Sequence, residues 1–223
     1  MKKINFIIFI TFNFLVFSQS TIERPIGEFS KLKVFSFVNV ELIKSTENKV
    51  EISGKKSRNV SITQENNTLK IRMSLDKYFS GNDVLVKLYY IKINSIEVYG
   101  GAKVASSQII KQYELELKAK EGGEIKTEVD TNVLTVKSVT GGKIQAYGTT
   151  KSQNIKINTG GIYIGQNLKA ESSKVEIKAG GKADVKSNDF TGVKILAGGV
   201  LTIHGTTKEL KQSTIIGGKI YYK

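Results

Sequence analysis

No cysteine occurs anywhere in the chain. Its absence excludes disulfides, a thiol nucleophile, thiolate metal sites and a lipid anchor on an amino-terminal cysteine, so stability has to come from packing and backbone pairing. Histidine is nearly as scarce: His204 stands alone, which excludes a histidine-based metal cluster, and its place beside inward Ile203 reads as an outward strand position, so no Ser-His-Asp triad is expected. One proline, Pro25, is set against 21 glycines, a balance that points away from helices and toward strands separated by tight corners. Acidic residues are in short supply as well. The 20 Asp and Glu oppose 34 Lys and Arg, and the net charge of +14 favours anionic partners. Long apolar runs are also missing: Ile4 to Phe17, 14 residues, is the longest, against the ~20 that a transmembrane helix needs.

That short run has its own meaning. Lys2 and Lys3 precede it and the polar Ser18, Gln19 and Ser20 follow it, the order of an export signal cleaved after Ser18 or Ser20. Residues 1–20 are read as a signal peptide, and the mature chain as exported to the periplasm, the cell surface or the extracellular space, with no transmembrane span. Loss of the two lysines takes the charge from 14 − 2 to +12. The remaining lysines are spread along the chain without a dense basic tract, which weighs against nucleic acid. An anionic glycan, an envelope component or a protein partner fits better.

What is present in abundance is a repeat. Glycine doublets stand at Gly100-Gly101, Gly122-Gly123, Gly141-Gly142, Gly160-Gly161, Gly180-Gly181, Gly198-Gly199 and Gly217-Gly218, with first-to-first spacings of 22, 19, 19, 20, 18 and 19. A period so constant decides the architecture before any single residue does. Between doublets the apolar residues alternate with polar ones, as in Ile144 and Ala146 after one doublet and Ile155 and Ile157 before the next. Period two means strands with one face buried, and two alternating runs per repeat describe one coil of a parallel β-helix or β-solenoid. The doublets are the structural corners, because a stacked corner needs positive φ and no Cβ. Helix is excluded, since an interior glycine costs about 1 kcal/mol relative to alanine and each doublet would cost about twice that. In the repeats opening at Gly100 and Gly160 the apolar residues fall one place early, at Ala102 and Val104 and at Ile162 and Ile164, and local bulges are expected there.

The predicted fold is therefore all-β. A regular solenoid with ~19–20-residue coils occupies residues 99–223, after a less regular β-rich section, residues 21–98, that either begins the same solenoid or caps it. Alternation persists in that section at Val40 and Leu42, Val50 and Ile52, Leu69 and Ile71, and Val84 and Val86, while Asp76 to Asp83 reads as an excursion loop.

Several of these stretches carry a family likeness. The segments Phe29-Ser-Lys-Leu-Lys-Val34, Val40-Glu-Leu42, Val50-Glu-Ile52, Ile96-Glu-Val-Tyr-Gly-Gly-Ala102 and Ala146-Tyr-Gly-Thr149, with the later doublets, resemble the bacterial putative auto-transporter adhesin family with its head GIN domain. The likeness runs over about residues 28 to 223. Where family corners often read Ser-Gly-Ala-Gly, this chain has Thr140-Gly-Gly, Thr159-Gly-Gly, Ala179-Gly-Gly and Ala197-Gly-Gly. The resemblance implies an exported β-helical fold and an adhesion role.

Reactive groups are sparse. No Gly-x-Ser-x-Gly elbow occurs, and Gly141-Gly-Lys and Gly180-Gly-Lys lack the spacing of a phosphate loop and lead into strands. Neither a cofactor nor a metal is implied. Glu124, Glu128, Asp130, Asp184 and Asp189 are the candidate carboxylates for a carbohydrate-active β-helix enzyme, the alternative to a non-catalytic binding module, but their offsets from the doublets differ and they form no ladder. A binding surface is expected near the corners, with Tyr99, Tyr147, Tyr163, Lys143 and Lys182 as contact residues, because stacked coils turn equivalent positions into ladders ~4.8 Å apart. An uncovered strand edge in the terminal coil is expected to favour self-association.

Overall fold

The computed structural model describes residues 21–223, so the signal-peptide reading of residues 1–20 lies outside it. Nineteen strands and no α-helix occur among the described residues. The amino-terminal section holds β1 (Ile22–Pro25), β2 (Lys31–Val34), β3 (Asn39–Lys44), β4 (Lys49–Ser53), β5 (Val60–Glu65), β6 (Thr68–Met73), β7 (Leu85–Tyr90) and β8 (Ser95–Val98), and β9 (Lys103–Ser106) opens the array. After it come β10 (Ile110–Lys120), β11 (Glu124–Val139), β12 (Lys143–Asn158), β13 (Ile162–Ile164) and β14 (Leu168–Ala179). The array ends with β15 (Lys182–Val185), β16 (Ser187–Ala197), β17 (Val200–Ile203), β18 (Glu209–Ile216) and β19 (Lys219–Tyr222). Together they form the expected β-solenoid, of about seven turns, with a curled half-barrel sheet.

Parallel, in-register stacking follows from the period-two pattern, because each inward side chain then lands on its counterpart one coil away. Val104, Ile125, Ile144, Tyr163, Ala183, Leu201 and Ile220 form one such column. Leu117, Val136, Ile155, Val175 and Val193 form a second. All but Ile220, which packs partly buried against the rest, are buried. Each aliphatic side chain so enclosed contributes roughly 1.5–3 kcal/mol. A third internal line is polar: Thr131 donates to Thr150 at 2.9 Å, and Ser187 and Thr191 share a hydrogen bond of 2.6 Å. Buried hydroxyls paired in this way cost little, whereas unpaired ones would be expensive.

The two glycines of a corner do different work. At Thr140-Gly141, φ is +50° and +70°, and Gly142 N–H returns to the Val139 carbonyl at 3.1 Å, which defines a type I′ turn. Gly141 supplies the positive φ and would have nothing within 4 Å of an added Cβ. Gly142 is needed for proximity: a Cβ there would lie 2.2 Å from the Ala119 carbonyl oxygen of the neighbouring coil. The corners at Glu121-Gly122 and Thr159-Gly160 repeat this conformation. Where alanine precedes the doublet, positive φ moves one residue on, to Gly180 and Gly181 and to Gly198 and Gly199.

Both expected bulges are absent, for separate reasons. Lys103 pairs with Glu124, so Gly101 occupies the place of Gly122 and the first doublet merely sits one residue out of phase with the others. Ile162 pairs with Lys143 without interruption, so Ile162 and Ile164 face outward, half-buried, and Tyr163 fills the column.

The amino-terminal section combines coil and cap. Strands β2 and β3 stack parallel between the β6–β7 coil and the β8–β9 coil, and so lie out of sequence order. Antiparallel β5 covers β6, and antiparallel β4 covers β7 with β1 beyond it. Such covering blunts the sheet edges at this end. The excursion takes the form of 3₁₀ turns over Leu75–Asp83. At the other end, β18 and β19 pair on one side only. There Gln212 and Thr214 continue the columns of Val193 and Ile195, and the Tyr222 hydroxyl donates to Gln212 Oε1 at 2.9 Å.

Candidate functional site

Because the coils stay in register, every outward position becomes a row running across them. One row reads Lys103, Glu124, Lys143, Ile162, Lys182, Val200, Lys219. Lys143 and Lys182 therefore share a row, but an isoleucine stands between them. Tyr147 lies on the same strand as Lys143, and both line a groove of about 630 Å³ with Lys103, Lys126, Glu41 and Glu124.

The other two tyrosines are elsewhere. Tyr99 stacks on Phe35 with ring centroids 4.8 Å apart and planes 9° from parallel, and its hydroxyl donates to Glu97. Burial, together with that carboxylate, pushes the Tyr99 hydroxyl well above its usual range. Tyr163 does not belong to a surface site: it is fully buried. Its hydroxyl donates to Gln153 Oε1 at 2.9 Å, and Gln153 Nε2 donates in turn to Ser173 Oγ at 2.8 Å. Burial raises the Tyr163 hydroxyl far above its ordinary value, which keeps it a donor. The surface assignment of Tyr163 fails because an aromatic ring can replace an aliphatic one in the column once its single polar atom has a partner, and Gln153 is that partner.

The carboxylates do not converge. Glu124 lies between Lys103 and Lys143 in register, Asp130 between Lys111 and Thr149, and Asp184 between Ile164 and Thr202. Asp130 is 3.8 Å from Lys111, Asp189 is 2.7 Å from Lys208, and Asp184 Oδ1 accepts from His204 Nε2 at 3.0 Å. Among the described residues no cluster of three or more His, Asp or Glu could hold a metal ion.

The most developed outward feature lies on the face over the second core column. Here Lys33, Glu97, Lys118, Lys137, Lys156, Glu176 and Lys194 form one continuous row. Glu97 bridges Lys33 and Lys118 at 3.6 and 3.5 Å. Burial would raise its carboxyl, but the Tyr99 hydroxyl and these two lysines outweigh it and hold the group below its ordinary 4.5. Farther along, the face opens into a groove of about 1010 Å³ between Thr135 and Lys211, floored at Gly192 and flanked by Phe190. This row was legible in the sequence as the residue four places before five of the seven doublets: Lys118, Lys137, Lys156, Glu176 and Lys194. It lies away from the residues beside the corners.

Similar proteins share this architecture. Crystal structures of a putative adhesin from Bacteroides fragilis (18% identity, TM-score 0.81, covering 93% of this chain and 98% of that one) and of a putative adhesin from Parabacteroides merdae (16%, 0.66, 93% and 97%) superpose on it. So does a putative lipid binding protein from Parabacteroides distasonis (16%, 0.68, 93% and 98%). At such identities the likeness is one of fold. A search of curated proteins returns no match. The sequence profile described as putative auto-transporter adhesin, head GIN domain, matches residues 28–207, the greater part of the sequence, and the chain belongs to that family.

Proposed function

We propose that the chain is an exported, non-catalytic interaction module of adhesion type at the bacterial cell envelope. Its partner would be a glycan, an envelope component or a protein, held on the flat outward faces of the coils. The observation that carries this reading is the in-register row. Parallel stacking repeats similar side chains every ~4.8 Å over a rigid surface, which suits recognition of an extended partner better than concentrated chemistry. Family membership agrees with it, and no helix among the described residues is long and apolar enough to cross a membrane.

The test is direct. Purified protein on a sensor surface should retain envelope fractions and whole cells, and should release no reducing sugar from polysaccharides that it binds. Turnover that disappears with Asp184→Asn or Glu124→Gln would instead support the carbohydrate-active enzyme. Self-pairing through the free edges of β18 and β19 belongs to the same proposal. It predicts concentration-dependent sedimentation that Ile220→Lys abolishes, and a strict monomer at all concentrations would remove it.

A further inference from the structure

We propose that the groove over Gly192 binds an acidic polysaccharide lying across the coils. Phe190 would stack on one sugar ring, while Lys156, Lys174 and Lys194 hold its carboxylate or sulfate groups. The inference rests on the adhesion-type reading and names the ligand class and the site.

Charge is the first argument. Lys156, Lys174 and Lys194 are exposed on adjoining coils and take part in none of the ion pairs among the described residues. Two other lysines of the lining are neutralised, Lys137 by Glu116 at 2.6 Å and Lys211 by Glu209 at 2.9 Å. Glu176, which lies between Lys156 and Lys194 in the row, points its charge to Lys178 at 3.5 Å. The lining therefore offers positive charge that the protein itself does not satisfy, and such charge draws anions over about a Debye length, ~10 Å at 0.1 M salt.

Shape is the second. From β11 to β18 the groove crosses five strands, a run of ~19 Å at ~4.8 Å per step, long enough for several sugar units and open at the surface. The Phe190 ring packs close against residue 192, where a glycine leaves it room: a Cβ there would lie 3.0 Å from Phe190 Cε1. A half-exposed ring so seated, with Lys211 Nζ over it at 6.0 Å from its centre, offers its remaining exposed surface to the C–H face of a sugar next to a charged group. The hydroxyl and amide groups of Thr135, Asn154 and Ser213 in the lining match sugar hydroxyls. Single-stranded nucleic acid needs successive stacking platforms, and this groove has one.

Titration calorimetry with polygalacturonate, dextran sulfate, neutral dextran and a single-stranded DNA oligonucleotide tests the proposal, alongside adhesion to envelope fractions. The native protein should bind at least one acidic polysaccharide and not neutral dextran. Lys156→Gln/Lys174→Gln/Lys194→Gln should weaken that binding at least about tenfold, which is about 1.4 kcal/mol. Lys92→Gln/Lys151→Gln/Lys169→Gln carries the same charge change away from the groove and should weaken it less than about twofold, and Phe190→Ala should cost about threefold. All six lysines are exposed, so both triple variants keep the fold. Equal losses in the two triple variants, or DNA bound as tightly as polysaccharide and lost with the groove lysines, would overturn the site. Unchanged envelope adhesion in the groove variant would also overturn it while leaving the adhesion reading intact. A native protein that adheres to nothing would overturn both.

Discussion

In the array, each strand lies on the strand one coil earlier, and paired residues are close in sequence: Lys143 − Glu124 is 19 and Val200 − Lys182 is 18. In the amino-terminal section, Lys31 pairs with Thr68 and with Ser95, separations of 68 − 31 = 37 and 95 − 31 = 64. Both regions bury alternating aliphatic side chains to the same degree. They differ in when those contacts can form. Local pairing needs only a short loop to close and can propagate coil by coil. Inserting β2 and β3 between two later coils requires those coils to be in place.

The largest expected effects come from truncating one core residue in each region. Leu32→Ala, between Leu69 and Ile96, and Ile144→Ala, between Ile125 and Tyr163, should each cost about 2–5 kcal/mol in denaturant unfolding. Kinetics should separate them, with Ile144→Ala slowing folding and Leu32→Ala mainly accelerating unfolding. The reverse assignment would show that the cap nucleates the fold.

Next is the division of labour inside a corner. Gly142→Ala drives a Cβ into a backbone carbonyl and should cost about 3 kcal/mol. Gly141→Ala meets open space and should lose only the left-handed penalty, about 1 kcal/mol. Thr140, a β-branched residue at positive φ, should gain about 1 kcal/mol when replaced by glycine. Melting temperatures of the three variants check the order.

A smaller contrast concerns two buried tyrosines. Tyr163→Phe leaves Gln153 Oε1 without its donor in the array core and should cost about 1–3 kcal/mol. Tyr90, in the amino-terminal section, has no hydrogen-bond partner for its hydroxyl among the described residues, so Tyr90→Phe should stay within about 0.5 kcal/mol of the native protein or exceed it.

The smallest effect is on pH. Glu97 ties Lys33 of the out-of-order strand to Lys118 of the array, and its folded pKa lies below 4.5. A depressed carboxyl stabilises the fold above the unfolded value and loses that contribution as pH falls through the folded one. Acid titration of stability should therefore steepen below pH 4.5, and Glu97→Gln should flatten that limb while lowering stability at neutral pH.

The array was readable because its signals are local: the doublet period, the alternation and the absence of helix punctuation all recur within one coil. Even there Tyr163 misled, since the tyrosine and the Gln153 that satisfies it lie on different sides of a coil and only stacking unites them. The stacking order of β2 and β3 had no signature, because their alternation reads the same wherever they pair. The expected contact residues scattered for a related reason. Tyr99 is spent on Phe35 and Glu97, whereas Lys156, Lys174 and Lys194 came together through register, although two of them stood at a constant offset from the doublets.

Because the chain has no cysteine, paired substitutions can read the stacking directly. Lys137 and Lys156 are register partners on adjoining coils, within the Cα separation of ~4.4–6.8 Å that a disulfide accepts. Lys137→Cys/Lys156→Cys should lose both free thiols on mild oxidation and keep its fold, while Lys137→Cys/Asn158→Cys, two residues out of register, should keep them. Cross-linking of the offset pair, or failure of the matched pair to close in folded protein, would contradict the in-register solenoid.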